Sequence, residues 1–334
     1  MSAGWRDTAV LVTGATGLLG GQVVRRLLGR GALPVALVRD GLPGGGGLGP
    51  AADAVVQVRG DVRDGALIER VIAEHRVSVV VHLAAQTQVG VAREHPQGTF
   101  DVNVGGTLAV LEACRRQRRV EAVVVASSDK VYGDTGGVAA DEDAPLQGLA
   151  PYDASKVAAD VLARSYAASY GLPVGVTRCA NFFGPGDLNF DRLVPGTIRS
   201  ALRREAPVLR TDGRSVRDWI YVEDAADAYL RLAEGLLEDA ALHGQAWNIS
   251  NEQPLRVLEM VQLVLAVMEA DLEPALGEGA GGEIAFQAID CGRFRSALDW
   301  APAVDLATAM ERTVDWYRRA AVQAALAGPR GGWA

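Results

Sequence analysis

Residues 8–31 run TAVLVTGATGLLGGQVVRRLLGRG: a short apolar stretch that meets a glycine and turns into a helical pattern. The stretch Thr8–Gly14 is continuously apolar rather than alternating, as in a strand buried on both faces of a parallel sheet. Gly14, Gly17 and Gly20 follow at three-residue spacing, and the helical pattern stops at Gly31. Glycines at such a turn let the backbone approach a pyrophosphate at a helix N-terminus. Gly-rich turns also serve bare strand–helix packing. The strand–turn–helix order favours a dinucleotide, with Thr16 and Leu18 as contact residues between the glycines.

The same alternation continues. Strand patterns fall at 34–38, 54–58, 77–84, 120–127 and 173–180, with amphipathic helices at 64–75, 98–117 and 152–170. This predicts an α/β fold, a Rossmann doubly wound parallel sheet with its ligand cleft at the C-terminal strand ends. Residues 1–180 are expected to form the cofactor domain, with 218–252 returning to it. Residues 181–334 are expected to form mainly a smaller α/β substrate region, with a strand at 247–250 and helices at 254–269 and 304–320. GLPGGGGLGP (41–50) reads as a flexible surface insert, RRQRR (115–119) as a solvated helix end, and AGPRGGWA as a loose tail.

Composition narrows the function classes. A formal charge of −8 argues against non-specific nucleic-acid binding. The three cysteines are far apart and the four histidines scattered, which suits reduced thiols and no metal site. No apolar run approaches the roughly 18 residues of a membrane span, and no apolar leader precedes the first strand. A cytoplasmic protein with no membrane partner is expected.

The chemistry concentrates at strand ends. After the second strand, LVRD carries Arg39 and Asp40: an acid there suits the ribose 2′-OH of NAD, an arginine the 2′-phosphate of NADP. Asp61, followed by Val62, either accepts from an adenine amino group or closes a turn. After the fifth strand comes SSDK. Of the 33 Lys+Arg, only Lys130 and Lys156 are lysines. An arginine cannot be deprotonated in a protein, whereas a lysine can lose its proton when desolvated. Lys156 stands four residues after Tyr152 in PYDASK, on one helix face. A nearby ammonium, together with the positive nicotinamide ring of an oxidised cofactor, is expected to lower the phenol's pKa from its usual ~10.

Taken together, the glycine loop, HLAAQ (82–86), NVGGT (103–107), SSDKVYG, YDASK and RDWIYVEDAADAYL (217–230) resemble the extended short-chain dehydrogenase/reductase family, in its nucleotide-sugar branch. The resemblance implies a nucleotide-sugar substrate, a homodimer through helices near 100–117 and 152–170, and NAD as cofactor, with NADP raised by Arg39. It adds Leu83, Ala84 and Ala85 to the cofactor contacts and Gln86 to the substrate contacts. It also implies that Asn181 and Arg217 meet the diphosphate, with Arg192 assisting and Leu193 and Val194 lining the base pocket. Ser128, Asp129 and Lys130 resemble the 4,6-dehydratase pattern, nearest the CDP-glucose enzymes. The expected catalytic set is Ser128, Asp129, Lys130, Tyr152 and Lys156. An epimerase on the same scaffold is the alternative. An Asp129–Lys130 ion pair that merely closes the strand, or a cofactor sensor without turnover, would be inert.

Overall fold

The computed structural model describes residues 4–41, 43–279 and 284–319. The tail AGPRGGWA lies outside them. Seven strands form one parallel sheet: β1 (Ala9–Thr13), β2 (Leu33–Val38), β3 (Val56–Arg59), β4 (Val79–His82), β5 (Ala122–Ala126), β6 (Val174–Cys179) and, after the short strands named below, β11 (Ala246–Ile249). Their order is β11-β6-β5-β4-β1-β2-β3. The chain therefore reverses its winding beside β1, where a crevice opens at the strand ends. β1, β4 and β5 are almost wholly apolar and buried, which only a two-faced sheet allows.

Helices cover both faces: α1 (Leu18–Gly29), α2 (Gly65–Glu74), α3 (Val89–Glu94), α4 (Pro96–Phe100), α5 (Gly106–Arg116), α6 (Pro151–Tyr170), α7 (Leu193–Leu202), α8 (Val222–Glu238), α9 (Val257–Val267), α10 (Gly292–Leu298) and α11 (Leu306–Arg318). α8 packs beside α1 on one face, and α2, α5 and α6 lie on the other. The helix expected over 98–117 is interrupted by a π-helical stretch, Asp101–Gly105. Wide turns of this kind occur often at functional sites.

The remaining strands are short: β7 (Asn181–Phe183), β8 (Val208–Leu209), β9 (Val216–Arg217), β10 (Trp219–Tyr221), β12 (Leu255–Arg256), β13 (Ala275–Leu276) and β14 (Phe286–Gln287). They pair β7 with β10, β8 with β13, and β9 with both β12 and β14. With α7, α9 and α11 they enclose a separate apolar core around Phe183, Ile198, Met260 and Met310.

The glycine insert differs from expectation. Pro43–Ala54 forms a 3-10 segment. Gly47 N–H donates to Thr16 O at 2.7 Å, Arg25 Nη1 donates to Gly47 O at 2.6 Å, and Leu48 is buried in the main core. The insert is a cover packed on the glycine loop. Its small residues permit that approach: a Cβ on Gly21 would lie 1.8 Å from Gly47 O.

Candidate active site

One cleft of about 1370 Å³ runs along the C-terminal strand ends and under the smaller region. At one end lies the glycine loop. Gly14 has φ +68°, and a Cβ there would meet Ala84 N at 2.8 Å; a Cβ on Gly20 would stand 2.2 Å from Gly14 O. No side chain caps α1, whose N-cap is Gly17, so its first N–H groups face the cleft uncapped. These features fit a dinucleotide pyrophosphate. Thr16, Leu18, Val62, Leu83, Ala84 and Ala85 also line the cleft. Arg39 and Asp40 line it as an exposed ion pair, Nε–Oδ2 2.6 Å. Asp61 is held by Arg63 through both carboxylate oxygens at 2.9 and 2.8 Å, which brings its pKa down to about 2.

Beneath the loop a buried polar chain fixes β1 and β4. Thr107 donates to Asn103 O at 2.6 Å, so its oxygen is left to accept from His82 Nε2 at 3.0 Å. His82 Nδ1 then accepts from Thr13 at 2.8 Å, and Thr13 Oγ1 accepts from the N–H groups of Leu83 and Ala84. Burial keeps this imidazole neutral, with its pKa down to about 3.

The middle of the cleft holds the strand-end polar groups. Ser128 donates to Asp129 Oδ1 at 3.0 Å and lines the cleft together with Tyr152. Asp129 is 2% exposed, and its Oδ2 has no partner among the described residues. Burial drives its pKa up to about 6, against the opposing pull of the Lys130 charge. Lys130 does not close the strand as an ion pair. Its Nζ donates to Gln287 Oε1 at 3.4 Å.

Burial raises the pKa of Tyr152 to about 12. Lys156 is itself buried and brought down to about 8, and its Nζ donates to Ala126 O at 2.8 Å. The lysine is anchored to the end of β5, and its charge does not outweigh desolvation of the phenol.

Behind these groups stands a fully buried bracket. Arg178 on β6 binds Asp160 on α6 through Nε and Nη2 at 2.9 and 3.1 Å. Its Nη1 donates to Tyr132 Oη and Glu142 O, each at 2.9 Å. Tyr132 donates on to Asn248 at 2.7 Å.

At the far end, Asn181 Nδ2 donates to Asp218 O at 3.1 Å, and Arg217 donates to Val216 O at 2.8 Å. Arg192 pairs with Asp187 at 3.0 Å while lining the cleft with Leu193 and Val194. The Gln86 carboxamide closes a turn onto Gln88 N and O at 2.6 and 3.1 Å, beside the cleft-lining Ala85 and Thr87.

Sequence reasoning missed Asn103 and Gln287. Asn103 sits in the π-helical stretch and bonds both backbone groups of Gln86 and the Ser155 hydroxyl. It opens the NVGGT motif, which was read for resemblance and not as a site. Gln287 carried none. Among the described residues no group of His, Cys, Asp or Glu could hold a metal, and no helix is long and apolar enough to cross a membrane.

The NAD dependent epimerase/dehydratase family matches residues 10–250. A dTDP-glucose 4,6-dehydratase of Xanthomonas campestris is 33% identical, with 92% of each chain covered. One from Streptomyces griseus is 36% identical over 93% of this chain and 94% of its own. Among solved structures, the dTDP-glucose 4,6-dehydratase DesIV of Streptomyces venezuelae with NAD and TYD bound has a TM-score of 0.83 at 28% identity, covering 93% of this chain and 97% of its own. A Thermus thermophilus UDP-glucose 4-epimerase in complex with NAD also has 0.83, at 30% identity over 94% of this chain and 100% of its own.

Proposed function

The chain belongs to the NAD dependent epimerase/dehydratase family, and on that premise we propose that it is a nucleotide-sugar 4,6-dehydratase working with NAD. The observation that carries this reading is Asp129: a carboxyl held near pH 6 by burial, one oxygen unpartnered, beside a lysine in the same cleft. Exchange at C4 alone needs only the Ser128–Tyr152 pair. Removal of the C6 hydroxyl also needs an acid for the leaving group and a base for C5.

When bound, NAD supplies hydride acceptance from C4 and return at C6. The residues do the rest. Tyr152, with Ser128 beside it in the cleft, takes the C4 hydroxyl proton; the positive charge of oxidised nicotinamide nearby would bring its high pKa down. The resulting 4-keto group acidifies C5–H. Lys130 removes that proton, and Asp129 protonates the departing C6 oxygen. Lys156, fixed at the end of β5, is a donor toward the cofactor ribose. Asn181 and Arg217, with Arg192, hold the diphosphate, and Leu193 and Val194 line the base pocket. Gly14, Gly17 and Gly20 cradle the pyrophosphate.

We assign residues 1–180 and 218–252 to the cofactor domain and 181–334 mainly to the sugar-nucleotide region. Phe100, Leu108 and Val161 on α4, α5 and α6 are 37%, 44% and 52% exposed, which supports a homodimer through these helices. The epimerase reading retains one support, the equal likeness to a UDP-glucose 4-epimerase. Incubation with CDP-, dTDP-, GDP- and UDP-hexoses tests the two. Loss of one water by mass is expected; isomerisation without a mass change would leave the epimerase.

A further inference from the structure

Lys130 is joined to the smaller region by one side chain. Its acceptor, Gln287 Oε1, belongs to a residue on β14 that stands in register with Arg217 of β9. Gln287 is 2% exposed, and its Nε2 is buried with no hydrogen-bond partner among the described residues. Buried amide groups without partners are uncommon and ask for a reason.

A carboxamide held at one end only is free to turn end for end. With Oε1 forward it accepts from an ammonium; with Nε2 forward it donates to the lone pair of a neutral amine. A carboxylate could do only the first, and an apolar side chain neither. We propose that Gln287 is the positioning residue that holds Lys130 at the sugar in both of its protonation states, and so allows it to act as the base of the elimination.

This rests on the dehydratase reading above. Neutral Nζ takes the C5 proton, and the C–H electrons become the C5=C6 bond conjugated to the 4-keto group. The C6–O bond breaks, and Asp129 gives its proton to the departing oxygen, releasing water. Protons and electrons balance without another reactant. The charges around Lys130 are Asp129 on its own turn and Asp153 on α6, with Arg93 acting on Asp153 and Arg217 and Asp218 acting on Asp129. The working pair, protonated Asp129 with neutral Lys130, carries as many protons as the ionised pair. The rate is therefore level between the two titrations, and its height drops about tenfold for each unit that separates them.

The chain has only two lysines, so lysine labelled with carbon-13 at Cε yields two titratable signals, and Lys130→Arg identifies which is which. In Gln287→Glu the Lys130 titration is expected to move up by about one to three pH units, with water loss slowed about tenfold per unit. In Gln287→Met, which keeps the length but neither polar end, it is expected to move below wild type. A Lys130 titration unmoved in both folded variants overturns the proposal. So does an upward shift in Gln287→Glu that leaves the rate of water loss unchanged. Titrations that move as expected, in a protein that removes water from no nucleotide sugar, would instead defeat the dehydratase reading and leave the Gln287–Lys130 pairing standing.

Discussion

At Asp129 burial and charge pull in opposite directions, and burial prevails. Its folded pKa of about 6 lies above the unfolded value near 3.9, so folding favours the neutral carboxyl. The stability this group allows is complete below about pH 4 and is lost as pH rises through about 6. Its ionised form then costs about 2–3 kcal/mol. Asp129→Asn is accordingly predicted to be more stable by about that amount at pH 8 in chemical denaturation, with the gain gone at pH 4, and to lose turnover. Equal stability at both pH values would contradict the burial argument. Tyr152→Phe is predicted to keep the fold and lower turnover by about 10²–10⁴-fold, in line with removal of a general base. Near-normal turnover would take the phenol out of the reaction. These residues were legible because two hydroxyls, an acid and a rare lysine interrupt an apolar strand. Gln287 was not, since its role depends on a contact 157 residues away in the chain.

At the scale of elements, the bracket of Arg178, Asp160 and Tyr132 ties β6 and α6 to the turn that carries Asp129 and Lys130. Arg178→Met leaves the buried Asp160 with only Arg164 at 3.8 Å, and a loss of about 3–5 kcal/mol in denaturant unfolding is predicted. Adding Asp160→Leu is predicted to recover much of it, because the uncompensated charge is then gone. A single variant as stable as wild type would show that the pair is hydrated. The insert makes a second case. A Cβ on Gly47 would lie 2.1 Å from Gly17 O, so Gly47→Ala is predicted to weaken cofactor binding with helix content kept; unchanged affinity would detach the insert from the loop. Composition alone made that segment resemble a free loop, since glycine is equally suited to mobility and to close packing. α8 was missed although its apolar residues recur at a clear helical period, so its signal was present in the sequence. The two- and three-residue strands are too short to show any period.

Over the whole molecule, the parallel sheet sets the site by bringing the ends of β1, β4, β5 and β6 to one crevice, while the smaller region closes it with Arg217 and Gln287 on paired strands. The sheet and its crevice followed from the strand–helix alternation, although Gln287 and the smaller region's own topology did not. On the homodimer proposed above, Leu108→Glu is predicted to give monomers in sedimentation where the unaltered protein gives dimers, and a dimer that survives would contradict an interface on these helices. Dehydration and epimerisation differ in where the hydrogen at C4 goes. A nucleotide hexose deuterated at C4 should give a product lighter by one water, with the deuterium at C6. Deuterium retained at C4 in an isomer of unchanged composition would contradict it.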